Sequence, residues 1–168
     1  MKPSSGKLKM ARQDGAVPTS FVKKAAQDGM TEVQLGKVAL QKSQDAKVRE
    51  FANRMIADHS KADQDLASLA KSKNMDVPAT LDAEHQSIVQ TLTSKSGTAF
   101  DTAYSQHMKA DHSEAIALFE GASKSSDKDL AAFAQKTLPT LKEHKKMADQ
   151  LAGSRTAEAA DASNGAPR

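Results

Sequence analysis

The stretch VREFANRMIADHSKADQDLASLA, Val48 to Ala70, decides the fold class. Val48, Ala52, Met55, His59, Ala62, Leu66 and Leu69 recur at helical spacing, so the segment reads as an amphipathic helix whose apolar stripe faces a core. A histidine stands in that stripe where the pattern asks for an apolar side chain. Asp45 offers an N-cap and NMDVPAT a stop, which together predict a helix from about Asp45 to about Lys73.

Upstream, TSFVKKAAQDGMTEVQLGKVALQKS predicts a helix capped at Thr19 or Ser20, behind Pro18, with Phe21, Ala25, Val33, Leu35 and Leu40 as its apolar residues. Gly29 and Gly36 share a face and permit close approach of a neighbouring helix. Only two or three residues separate these two helices, so they form an antiparallel hairpin. Downstream, LDAEHQSIVQTLTSKSG predicts a shorter helix in a crossover that ends before Gly97. A third long helix, about Thr98 to Lys124, carries Phe100, Tyr104, Met108, Ala115 and Phe119. A fourth, about Asp127 to Leu151, carries Leu130, Ala134, Thr137, Leu141, Ala148 and Leu151, with a kink expected at Pro139. The expected fold is all-α: two antiparallel hairpins joined by one long crossover containing a short helix, the connectivity of a ferritin-like four-helix bundle. Residues 1–17 are expected to be a flexible N-terminal segment, 18–152 the bundle, and 153–168, low in complexity and without large apolar side chains, a disordered tail.

Composition narrows the function. Five Phe, one Tyr and no Trp among many helix formers argue against strands. Without cysteine there is no disulfide, thiolate metal site or cysteine nucleophile. The net charge of +3 is spread among interspersed acids and bases, a solvated surface more than a nucleic-acid footprint. No run is long and apolar enough to span a membrane, and MKPSSGKLKMARQDG lacks the apolar core of a signal peptide. Phosphate-cradling glycine loops and nucleophile elbows are absent from the sequence, and no reaction is assigned.

The histidine question recurs on two more helices. Tyr104, Met108, His112, Ala115 and Phe119 form one stripe; Leu141, His144, Ala148 and Leu151 form another, with Glu143 beside the histidine. Three of the five histidines thus occupy core positions on three helices. Counting the ~1.5 Å rise per residue from each turn puts Glu32 and His59 within ~4–5 Å in height, and His112 and His144 within ~6 Å. Imidazole and carboxylate suit Zn, Fe, Mn, Cu or Ni, so Glu32, His59, His112 and His144 form the candidate ligand set, one per helix. The Glu-x-x-His pattern of carboxylate-bridged di-iron bundles is missing, because Ile56, Lys109 and Leu141 precede the three histidines at that spacing. Taken singly, each histidine is also a core residue bonded to a carbonyl, Tyr104, Asp58, Asp111 or Glu143. His85 and His107 are expected at the surface. The arm bearing Lys2, Lys7, Lys9 and Arg12 offers an alternative use in nucleic-acid or polyphosphate binding.

The segments FVKKAAQDGMTEVQLGKVAL, FANRMIADHSKA, GTAFDTAY and TLPTLKEH, spread over residues 19–151, resemble a bacterial ferritin-like family of unknown function, whose members are often labelled outer-membrane or exported proteins. The resemblance implies a ferritin-like bundle in the periplasm or cell envelope, and the family's recurrent polar positions match Glu32, Asp58, His59, Asp101, His112, Glu143 and His144. The sequence therefore gives two expectations: a bundle holding a transition-metal ion for metal handling or stress protection, or a metal-free bundle that binds a partner. A homo-oligomer stays open in both.

Overall fold

The computed structural model describes residues 16–164, and within them the chain is all-α, with five helices and no strand. They are α1 (Ala16–Lys42), α2 (Ala46–Ser72), α3 (Ala83–Thr93), α4 (Gly97–Ala122) and α5 (Lys128–Asn164). Asp45 caps α2 as its sequence predicts, accepting from the Lys47 and Val48 amides at 2.8 and 3.1 Å. Asn74, at φ 54°, ends the same helix in the left-handed conformation that asparagine tolerates. Asp82 caps α3 by accepting from the His85 amide at 3.0 Å.

α1 packs chiefly on α2, and α4 on α5, as the short links between them require. α1 also meets α4, α2 meets α5, and α3 lies against α1 and α4. Gly36 explains the closeness of the α1–α2 seam: a Cβ there would stand 2.8 Å from Ile56 Cγ1 and 3.1 Å from the Ala52 carbonyl.

Two expectations about the ends need correction. α1 begins at Ala16, before Thr19 and Ser20, because Pro18 in a first turn gives up an amide that no helical carbonyl would have received. The expected tail from Gly153 is instead a continuation of α5 to Asn164. Its alanine-rich sequence favours helix, and Arg155, only 7% exposed, fastens it to the bundle by an ion pair to Asp45, with a second pair inside the same helix to Glu158 at 2.9 Å. α5 also runs on through Pro139. The basic arm lies outside the described residues.

The core comes in two apolar parts. One gathers Phe21, Leu66, Phe119, Leu130 and Leu141; the other gathers Leu35, Phe51, Met55, Tyr104, Met108 and Leu151. Each long helix crosses from one part to the other, and at each crossing stands a buried polar residue: Glu32 on α1, His59 on α2, His112 on α4 and His144 on α5. A polar belt therefore divides the core across its middle.

Candidate metal centre

The belt histidines meet as three rings. His59, His112 and His144 have centroids 5.6, 5.3 and 5.4 Å apart pairwise, and each offers a nitrogen within 4.8 Å of the others. Their exposures are 9%, 0% and 1%. Against the ~6 Å height difference expected from the count, the His112 and His144 rings stand 5.4 Å apart.

Hydrogen bonding sets which nitrogens are free. His112 Nδ1 lies 2.8 Å from the Met108 carbonyl, so it carries the proton and donates, leaving Nε2 with a lone pair. His144 Nε2 donates to Asp58 Oδ2 at 2.8 Å, leaving Nδ1. His112 Nε2, His144 Nδ1 and His59 Nε2 are all buried with no protein partner. Three neighbouring imidazoles, each with a buried nitrogen that no protein group pairs, have the composition of a metal-ligand set.

Adjacent residues on a helix point ~100° apart, so Asp58 turns away from its neighbour His59 and reaches the next helix, where it holds His144. Arg54 binds Asp58 in turn and approaches Glu143 at 3.5 Å. Burial raises the Asp58 pKa, but bonds from Arg54 and His144 outweigh it and leave the carboxyl below its ordinary value, so it stays anionic as a holder of imidazole. Burial lowers all three imidazole pKa values, His59 to about 3 and His112 to about 4, with neighbouring rings adding to it for His59 and His112 and the Asp58 bond opposing it for His144. At neutral pH each ring is uncharged, the form that binds metal.

Carboxylates adjoin the rings on one side. Glu32 Oε1 lies 3.8 Å from His112 Nδ1, the nitrogen already committed to Met108, and Asp111 completes a group with Glu32 and His112 whose ligand atoms lie within 4.8 Å. Glu32 thus meets the trio beside His112 and is not grouped with the three nitrogens. Both its oxygens are buried without a donor, and burial, then Asp111, raise its pKa well above the ordinary carboxylate range. The Tyr104 hydroxyl is likewise buried and unpartnered, and burial and the Glu32 charge raise its pKa.

Three neutral nitrogens with flanking carboxylates fit a divalent first-row ion. Nitrogens bound at ~2.0–2.1 Å around a tetrahedral ion stand roughly 3.4 Å apart, so at most about 1.4 Å of closure separates these rings from that geometry. No membrane-spanning helix occurs among the described residues.

A family model described as "Domain of unknown function (DUF4142)" matches residues 4–151. The chain belongs to that family. The DUF4142 chain is also similar to a solved structure, a DUF305 fragment from Deinococcus radiodurans, with a TM-score of 0.73 at 14% identity, over 83% of this chain and 97% of that one. That likeness concerns the fold alone. No curated protein matches.

Within the DUF4142 domain, sequence reasoning named Asp58 and Asp111 among possible histidine partners but assigned neither to a particular ring nor to the centre; the structure pairs Asp58 with His144 and groups Asp111 with Glu32 and His112. A signal was present, since an acid directly precedes each belt histidine: Asp58, Asp111 and Glu143. His85 and His107, expected at the surface, are half-buried. His85 lies 2.6 Å from Asp82 and 3.2 Å from Asp28, tying α3 to α1, and His107 Nε2 is buried without a partner.

Proposed function

We propose that this DUF4142 domain is a metal-binding protein that holds one divalent transition-metal ion on His59, His112 and His144, with Glu32 and Asp111 balancing its charge. The observation that carries the proposal is that His59, His112 and His144, from three helices, bring ring nitrogens within 4.8 Å of one another, and that each ring has a buried nitrogen with no protein partner. Zn, Fe, Mn and Cu are all compatible with the donors. The pairing of α1 with α2 and α4 with α5 through short links, and the long stretch carrying α3 between them, supports a ferritin-like four-helix arrangement as the scaffold. We place the protein in the periplasm or cell envelope on the family resemblance, and assign it to metal handling rather than to a reaction.

A second reading, a metal-free polar belt, draws on the bonds His112 and His144 already make to Met108 and Asp58. It leaves the three remaining nitrogens and both Glu32 oxygens to water alone.

The deciding experiment is elemental analysis of protein purified without an affinity tag or chelator, alongside His59→Ala and His112→Ala. About one ion per chain in the wild type and none in the variants is expected. Saturation to ~100 times the dissociation constant should add ~2.7 kcal/mol of stability, roughly 5–11 °C in melting temperature for a chain of this size. An unchanged melting temperature with every ion tested, and no metal in the purified wild type, refutes the proposal in favour of the metal-free belt.

A further inference from the structure

Three protein donors leave a divalent ion an open position, and a cavity adjoins two of them, His59 and His144. A cavity of about 40 Å³ is lined by His59, His144, Asp58 and Asp111 at one side and by apolar groups such as Leu66 and Phe119 at the other. One water needs ~10–15 Å³, whereas a cavity of ~150 Å³ is what accepts benzene. The space therefore suits a molecule of two or three heavy atoms.

Charge selects further. Neither Glu32 nor Asp111 forms an ion pair with a lysine or arginine among the described residues; a bound cation would draw the proton from Glu32, and the two carboxylates would then match its +2 charge. An uncharged ligand keeps that balance; an anion leaves a net negative charge where little water remains to solvate it. Asp63 reinforces the bias. It lines the cavity and also an open groove beside Met30, Gln34, Ser60 and Thr80, so its carboxyl stands between the two spaces. The absence of a side chain at Gly29 makes this placement feasible, since a Cβ there would come within 2.0 Å of Asp63 Oδ1.

We propose that the fourth position of the ion opens into this cavity, takes a small uncharged donor molecule, and discriminates against small anions through Asp63 and Asp111. This deepens the metal-binding proposal and rests on it. No bond to carbon forms or breaks, and the step is reversible coordination: the metal–ligand bond that forms on binding is the bond that breaks on release.

The test uses the full chain loaded with cobalt(II) at pH 7.5, with uptake read from visible absorption and metal content. Nitric oxide, uncharged, and azide, an anion of similar size, are then titrated without oxygen. Nitric oxide is expected to change the spectrum, and azide to bind on the order of a hundredfold more weakly, the scale of one unbalanced charge at short range in a partly buried site. Asp63→Asn should narrow the gap about tenfold. Ala115→Met, which fills the cavity, should keep cobalt and lose nitric oxide; Ala62→Leu makes the same test from α2 if Ala115→Met fails to fold. Azide binding as tightly as nitric oxide, silence of the loaded protein to both ligands, or a folded cavity-filling variant that binds nitric oxide unchanged overturns this inference while metal binding stands. A wild type that takes up no cobalt or any other ion overturns the metal-binding proposal, and this one with it.

Discussion

The imidazoles of the metal-free protein should stay neutral far below the pH at which histidine ordinarily protonates. A histidine of ordinary pKa near 6.5 is about 90% protonated at pH 5.5. With values of about 3 and 4, His59 should be under ~1% protonated there and His112 only ~3%. His144 moves the same way, burial outweighing the opposing bond from Asp58. His85 provides the internal contrast: burial lowers its pKa, but hydrogen bonds with Asp82 and Asp28 prevail and raise it. Thermal stability is a poor reporter because two effects oppose. The belt histidines bind fewer protons folded than unfolded, so each lessens stability as pH falls below ~6.5, by ~1.4 kcal/mol at pH 5.5 for His59 and for His112. Glu32, Asp28 and Asp63, raised mainly by burial, bind more protons folded than unfolded and contribute stability over part of the same window. Nitrogen-15 NMR of the rings separates them and also shows each tautomer, Nδ1–H for His112 and Nε2–H for His144. A midpoint near 6.5 for any belt ring would refute the claim that the rings are held neutral by burial.

Asp58→Asn should weaken metal affinity by ~10–100-fold while leaving the helix content unchanged, since it loosens the imidazole of His144 and not a ligand; competition with a chromophoric chelator measures it. Gly36→Ala should destabilise by up to ~2 kcal/mol, because overpacking against the Ala52 carbonyl (~1–3 kcal/mol) exceeds the helix-propensity gain of ~1 kcal/mol. Gly121→Ala, with nothing within 4 Å, should instead stabilise by ~0.5–1 kcal/mol, and denaturant titration of the pair tests the contrast. Arg155→Ala should free the last turns of α5, which limited proteolysis would detect as earlier cleavage after residue 152 with the core intact.

The long helices were legible because their caps and stripes are local: Asp45, Asn74 and the apolar spacing around His59 each act within a turn or two. The end of α5 was not, because its anchor is a charged side chain. Arg155 is buried by Asp45, more than a hundred residues earlier, and no periodicity marks such a contact. The belt histidines stood out as polar residues in apolar stripes. Asp58 and Asp111 did not, since acids on helix flanks are ordinary and their roles arise only where one helix faces another. Counting heights from the turns put Glu32 within ~4–5 Å of the height of His59, but sideways position is invisible to that count, and the structure sets Glu32 beside His112.

The division of the ligands between the two helical pairs has a kinetic consequence. His59 belongs to the α1–α2 pair, while His112 and His144 belong to the α4–α5 pair. A bound ion would rivet one half of the molecule to the other, and neither half could keep it alone. Exchange with free metal would then wait on the two pairs drawing apart, so departure should be slow, and quickened by whatever loosens that seam even far from the rings.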